Sequence, residues 1–387
     1  MPTILYAIGS LELGGAESQL TKLILHCRKQ KLKIALFVLE ADGYFQPLLE
    51  QQGIPIYNGG FSTKHTYFKR KLLLLRAWFR LFKTIILIRP DILHAYLPLT
   101  NFLGATAGRM LGVKQVITSR RALGTHQERH KGWKWIDRLT NRLSHYVTVN
   151  SQAVWEDTLK RDAIDPKKLV LIKNGLDLSS FCNLHLIRKK MRQSLVMSED
   201  TLALMMVGNL IPYKGHAVLL EALAMILPTQ KHIQFYFVGE NRGIQKHLQQ
   251  LAQELMIAEQ IFFLGRRTDI PALLSAMDIY VHASFEEGSS NALLEAMAAE
   301  LPIIATNVGG NKETLENGKH GILIPPSNPE QLKIALLDLI ADKKLQTRLS
   351  RSAKNYVNQT YSIEQMVNSH IQLYTSHLIP KSPVSKI

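Results

Sequence analysis

Cysteine is almost missing from this chain: Cys27 and Cys182 are the only two in 387 residues. Two distant thiols without ligand spacing exclude a disulfide framework and a zinc module, and they make a reduced, cytoplasmic setting the expectation. No other metal-like cluster of ligands stands out, so no metal is expected. No apolar run reaches the ~20 residues that cross a bilayer. The N-terminus has no basic leader and enters a short strand, Thr3 to Ile8, at once. Internal repeats and low-complexity tracts are missing; only LIPKSPVSKI at the end reads as a frayed tail. The Gly-x-Gly-x-x-Gly dinucleotide fingerprint is missing too, since Gly9 is followed by Ser10 and the Gly14-Gly15 pair comes late.

Acidic residues are scarce in one half only. Met1 to Lys173 holds 27 Lys and Arg against 12 Asp and Glu, whereas the remainder holds 20 against 19. Nearly all of the net charge of +16 therefore sits in the first half. Such a half calls for an anionic partner: a membrane surface, a nucleic acid or a phosphorylated acceptor. Its most distinctive segment is FKRKLLLLRAWFRLFKTIILI, Phe68 to Ile88. On a helical projection Lys69, Arg76, Arg80 and Lys83 form one stripe, and Leu72, Leu75, Phe79, Phe82 and Ile86 form another. This reads either as a domain helix with a solvated face or as a docking surface for anionic lipid. Trp78, Trp133 and Trp135, in a region with 17 basic residues between Lys64 and Arg142, favour the second.

What is present is a strand–helix alternation over the whole length, which predicts parallel sheets covered by helices in two domains. Loop-to-helix joins recur at strand ends. GSLELGGAE places Gly14 and Gly15 before a helix, and NLIPYKG places Lys214 and Gly215 before another. The fullest case is HASFEEGSSNALLEAMAAELPIIATNVGG, His282 to Gly310. A buried strand feeds a small-residue loop and then a helix that Pro302 ends. The backbone amides at Ser290, Asn291 and Ala292 and the positive end of the helix dipole suit an anion. Glu287 and Glu295 frame them, and carboxylates accept hydrogen bonds from hydroxyls. Phosphate donors between two hydroxyl acceptors fit a sugar–diphosphate–ribose ligand.

The Glu-x7-Glu spacing of EGSSNALLEAMA, followed by LPIIATNVGG, resembles the signature of the retaining glycosyltransferases of family 4, which have the GT-B fold. The likeness extends over nearly the whole chain and is strongest from Gly208 to Glu330. It implies two Rossmann-like domains facing across a cleft. Residues 1–170 would form the N-terminal acceptor-side domain, with 360–387 packing back on it, and 171–359 the C-terminal donor domain. It implies that Glu287 and Gly288 contact the donor sugar, that Glu295 holds the ribose, and that Gly265 and Arg266 lie near the base. Lys214 would neutralise the leaving diphosphate. The family's Arg five residues earlier is replaced by Asn209, which leaves Arg266, Arg267 or an N-domain arginine to compensate. Gly14 and Gly15 match the family's loop facing the cleft. His94 falls at a strand end where the family often has His-x-His, although Tyr96 stands at the second position. Arg120 and Arg121, ending the next strand, suit a phosphate on the acceptor side. Asn174, Gly175, Asp177 and Phe181 match the family's interdomain turn, with Asn and Gly expected at positive φ.

The resemblance thus implies a retaining, metal-independent hexosyltransferase. Its donor would be a nucleotide diphosphate sugar and its acceptor a hydroxyl of a glycan or lipid-linked acceptor, as in lipopolysaccharide synthesis. Lys214, Glu287 and His94 are its catalytic candidates. The basic half would sit on the inner face of the cell membrane, with no nucleic acid expected. Two other classes remain: a GT-B sugar-nucleotide enzyme that is not a transferase, such as an epimerase or phosphorylase, and an inactive basic binding module.

Overall fold

In the computed structural model, residues 2–129 and 132–375 are described. The chain divides into two compact units: Met1–Gly175 with the segment from Ile363, and Leu176–Ser362. The terminal stretch read as a frayed tail lies outside the described residues.

The first unit is built on seven parallel strands, β1 (Thr3–Ile8), β2 (Lys33–Val38), β3 (Ile56–Asn58), β4 (Ile92–Tyr96), β5 (Gln115–Arg120), β6 (Tyr146–Val149) and β7 (Leu169–Leu171). Their order is β3-β2-β1-β4-β5-β6-β7. A sheet covered on both faces needs strands that are apolar throughout. β1 meets this with Ile4, Leu5, Tyr6, Ala7 and Ile8 all at 0% exposure. Alternate residues serve opposite faces. Ile4, Tyr6 and Ile8 pack with Leu20, Leu23 and Ile24 of helix α1 (Gly15–Lys29). Leu5 and Ala7 pack with Ala77, Leu81 and Ile85 of helix α2 (Tyr67–Ile88). The last described helix, Ile363–Thr375, joins the α1 face through Ile363, Met366, Val367 and Leu373.

The second unit has six parallel strands, β8 (Leu202–Val207), β9 (Ile233–Val238), β10 (Ile261–Phe263), β11 (Ile279–His282), β12 (Ile303–Thr306) and β13 (Ile322–Ile324). Their order is β10-β9-β8-β11-β12-β13. Both sheets reverse direction of growth once, between β1 and β4 and between β8 and β11. In open sheets of this kind ligands bind beyond the carboxyl ends of the strands at such a reversal.

One expectation needs correction. Neither Asn174 nor Gly175 takes a positive φ. Gly175 is required instead by crowding, since a Cβ there would lie 2.9 Å from Ile363 Cδ1 and from Met366 Cβ. The Gln19 side chain pairs with this glycine at both ends, donating to its carbonyl and accepting from its amide at 2.9 Å each. Helix α2 exposes apolar as well as basic residues. The helix buries Ala77, Leu81, Thr84 and Ile85, whereas Leu72, Leu75, Phe79 and Ile86 are exposed. Most of the apolar stripe is thus open to solvent, beside exposed Lys69, Arg76 and Lys83, while Phe82 is partly buried against the core. Trp78 turns inward, its Nε1 donating to Thr106 Oγ1 at 3.0 Å, while Trp135 is 71% exposed.

Candidate active site

A cluster of polar side chains in the second unit sits at its sheet reversal. After β8 the chain makes a short turn, Pro212–Lys214, and enters helix α3 (His216–Ala224) through Gly215. After β11 it runs through Glu287 into helix α4 (Asn291–Ala298), capped by Ser290 Oγ accepting from the amide of Leu293 at 3.3 Å. The two loops are tied by Phe285 N donating to Tyr213 O at 2.7 Å. Gly215 has φ +77°, and a Cβ on it would lie 2.0 Å from the carbonyl oxygen of Ala283.

This contact brings Lys214 against Glu287. Lys214 Nζ donates to Glu287 Oε1 in a short ion pair. The same oxygen accepts from Ser284 Oγ at 2.9 Å and from His282 Nε2 at 3.0 Å. All three partners converge on Oε1, so Oε2 is the oxygen left to meet a ligand. Burial pushes the Glu287 carboxyl upward, but Lys214 and His282 outweigh it and hold the group well below the usual carboxylate range. It is therefore an anion at any physiological pH, fixed in orientation and 10% exposed.

A further ring of bonds holds this cluster. Tyr280 Oη lies 3.3 Å from His282 Nδ1, so the imidazole bridges the phenol and Glu287. Thr306 Oγ1 donates to Ser284 O at 2.5 Å, and Asn311 Nδ2 to Thr306 O at 3.2 Å. Gly310 N donates to Glu287 O at 3.0 Å, tying the Gly-Gly turn after β12 to the carboxylate's own backbone. His282, Ser284, Tyr280 and Thr306 carry no sequence signal of a role. Their only hint is that His282 ends the strand and Ser284 follows two residues later, just before Glu287.

The other donor-side candidates lie at carboxyl ends of the same sheet. Glu295 is one turn inside α4 and half-buried. Both Glu295 and Glu287 act on Tyr280, whose phenol is pushed up first by burial and further by the two carboxylates. Gly288, Ser290, Asn291 and Ala292 form the loop and first turn of α4. Gly265 and exposed Arg266 follow β10. Asn209 follows β8, and its Oδ1 accepts from Glu240 N at 3.2 Å, joining the loops after β8 and β9. Arg267 is taken up by Asp269, with contacts of 2.8 and 2.6 Å.

The first-unit candidates are not brought to one open site. Gly14 and Gly15 stand at the start of α1. His94 is at 0% exposure, with Nδ1 2.8 Å from Tyr374 Oη and Nε2 2.8 Å from Ser119 Oγ. Both ring nitrogens are used, and burial holds the ring neutral by pushing its pKa well down. The structure thus places His94 as a hub of the core, not as an open base. Arg120 is likewise spent internally, pairing with Asp162 at 2.6 Å and Asp137 at 3.1 Å with its side chain 9% exposed. Arg121 is different: its Nη2 donates to Asn174 Oδ1 at 2.5 Å, and it pairs with no carboxylate among the described residues.

The family model described as Glycosyl transferases group 1 matches residues 187–356, and that described as Glycosyltransferase Family 4 matches residues 13–180. The UDP-Gal:alpha-D-GlcNAc-diphosphoundecaprenol alpha-1,3-galactosyltransferase of Escherichia coli is 26% identical over 316 residues, 79% of this chain and 81% of that protein. Among solved structures, HepE of Anabaena in complex with UDP and glucose superposes with a TM-score of 0.85 at 23% identity, covering 97% of this chain and 100% of that one. WaaG, a glycosyltransferase involved in lipopolysaccharide biosynthesis, gives 0.78 at 17% identity over 96% and 99%. At these identities the structural likeness establishes the fold, which is GT-B.

Proposed function

Because the chain belongs to the group 1 glycosyl transferases, with a family 4 N-terminal half, we propose that it moves a sugar from a uridine diphosphate sugar to a hydroxyl of a lipid-linked or lipopolysaccharide-type glycan. The observation that carries this reading is the Lys214–Glu287 pair beside the start of α4, at the reversal of the second sheet. Transfer builds negative charge on the departing diphosphate, and preorganised positive groups there lower the barrier. Lys214 Nζ and the amides of residues 290–292 provide such charge from protein alone. Glu287 Oε2 accepts from hydroxyls of the sugar, and Glu295 from the ribose. Retention and metal independence belong to this proposal, as does the uridine base, which is drawn from the named substrates and ligands of the relatives.

The test is a thermal-shift series with UDP, GDP and ADP on the wild type and on Glu295→Ala. A nucleotide at ~100 Kd stabilises the fold by about 2.7 kcal/mol through mass action. UDP should raise the melting temperature, GDP and ADP should do so far less, and the variant should lose the UDP shift. A UDP-sugar consumed at full rate without any acceptor would instead support a non-transferase enzyme.

The N-terminal unit fits a lipid-facing role, and this too is proposed. On α2, Phe68 is 82% exposed and Leu72 63%, among lysines and arginines. No described helix is long and apolar enough to cross a membrane, so the surface would lie on the bilayer. Each apolar side chain contributes about 1.5–3 kcal/mol when fully buried, and each cation near anionic lipid about 1 kcal/mol. Replacing Phe68, Leu72, Leu75 and Phe79 together by Ser should therefore lower partitioning onto phosphatidylglycerol vesicles by on the order of 10³-fold. Co-sedimentation measures this; unchanged binding of the quadruple variant would remove α2 from the membrane contact.

A further inference from the structure

Glu287 can present Oε2 steadily only if Oε1 stays fixed, and the three partners of Oε1 are not equivalent. Lys214 holds it with an ion pair, yet the same ammonium is the cation placed to meet the departing diphosphate. An ammonium is a compact charge on a flexible stem, so a second anion draws it away from the first. Ser284 Oγ, 2.9 Å from Oε1, belongs to a hydroxyl whose hydrogen rotates to suit its neighbours, and it also lies 3.3 Å from His282 Nε2. Neither partner fixes the carboxylate by itself.

His282 is held on several sides. It ends β11, which runs between β8 and β12, and its side chain is 0% exposed. Its ring stacks with that of Tyr280, centroids 6.1 Å apart and planes at 17°, and Nδ1 lies 3.3 Å from Tyr280 Oη. Its carbonyl accepts from Thr306 Oγ1 at 3.3 Å. What this fixed ring offers to the site is Nε2, 3.0 Å from Glu287 Oε1. A carboxylate only accepts, so this nitrogen carries a hydrogen whatever the charge on the ring. After burial and the charge of Lys214, the bond from His282 is the next influence on the Glu287 carboxyl, and it favours the anion. A histidine kept to fill the core could end on any acceptor. This one ends on the carboxylate that the donor reading places at the sugar.

We propose that His282 is the positioning residue of the sugar subsite: Nε2 keeps Glu287 Oε1 in place, so that Oε2 stays aimed at the sugar while Lys214 turns its charge to the diphosphate. This rests on the glycosyltransferase reading above. It divides the site into a cation that serves the phosphates and an imidazole that serves the sugar through Glu287.

Isothermal titration with UDP, UDP-glucose and UDP-galactose tests this on wild type, His282→Asn, His282→Gln and Lys214→Met. A Gln amide nitrogen reaches about as far as Nε2 and can still donate to Oε1, whereas Asn ends one methylene short, near the place of Nδ1. Both are polar and both disturb the buried strand end, so a role in folding alone would not separate them. For the UDP-sugar that the wild type binds more tightly, His282→Asn should lower affinity about tenfold or more, the effect of losing a hydrogen bond to a charged group, and should change UDP less than about twofold. His282→Gln should return the UDP-sugar to within about threefold of wild type. Lys214→Met should weaken UDP and UDP-sugar together. Melting curves without ligand show which variants fold. Should His282→Asn not fold, Tyr280→Phe takes its place, since it unlocks the ring without touching Glu287 and should weaken the UDP-sugar about threefold with UDP unchanged. Four results would each overturn the proposal: a UDP-sugar affinity untouched by the variant, UDP and UDP-sugar lost in parallel, no recovery in His282→Gln, or a wild type that binds UDP but neither conjugate. A wild type that binds no UDP is a different failure, that of the donor reading itself.

Discussion

Replacing Lys214 by Met should lower kcat/KM by on the order of 10²–10³, the effect of deleting one preorganised donor to developing charge. It should also cost about 3–5 kcal/mol of stability, because Glu287 is then a buried carboxylate without its cation. The two losses are separable. In Lys214→Met/Glu287→Gln the uncompensated charge is gone, so much of the stability should return while activity stays low. The stability loss should also depend on pH. In the wild type the Glu287 carboxyl is held well below its ordinary value. Its contribution is therefore present above the unfolded carboxyl's pKa, near 4.3, and fades as pH falls through the depressed folded value. In Lys214→Met, burial is opposed only by His282 and Ser284, so the carboxyl's pKa rises and the folded state takes up a proton more readily. Both effects shrink the difference between variant and wild type on acidification. Denaturant melts at pH 7 and pH 4.5 should show the larger gap at pH 7; a gap independent of pH would remove the ion pair as its cause.

How much of this was legible beforehand depends on the kind of signal. The Glu287/Glu295 frame, the Lys214–Gly215 join and the strand–loop–helix grammar were readable because each is local: a loop and the helix after it are contiguous in sequence. The fold class followed from the same alternation. Arg120 and Arg121 look identical in sequence, yet one is spent on Asp137 and Asp162 and the other is not. Those acids lie on later helices, and adjacency in sequence says nothing of them. His94 was similar, since its partner Tyr374 comes from the far end of the chain. For α2 the periodicity picked out a basic and an apolar stripe, but the sheet took a third face that neither stripe contains. The narrow stripe of Ala77, Leu81, Thr84 and Ile85 was chosen by close packing against β-strand residues, and the larger apolar residues were left outside. Asn209 reads as a missing cation, but its side chain also bonds the neighbouring loop.

Gly215→Ala should be among the most damaging single-methyl changes in the second unit. Two costs add. The backbone is at φ +77°, a left-handed conformation that costs a residue with a Cβ about 1–2 kcal/mol. The Cβ would also stand 2.0 Å from Ala283 O, and this atom is backbone at the end of a buried strand. No side-chain rotation relieves the overlap, so the loops after β8 and β11 must separate, which adds about 1–3 kcal/mol of overpacking strain. Those loops carry Lys214 and Glu287. Pushing them apart breaks the geometry that fixes Glu287 and aims Lys214, and a displacement of about 1 Å in such a site costs on the order of 10²-fold in rate. Gly53→Ala isolates the first cost, because its φ is +68° and nothing lies within 4 Å of the added methyl. The expected pattern is a loss of about 1 kcal/mol with UDP binding intact for Gly53→Ala. For Gly215→Ala it is a loss of several kcal/mol with UDP binding abolished. Melting curves with and without UDP distinguish the two, and equal losses in both variants would mean that the contact with Ala283 does not hold the site together.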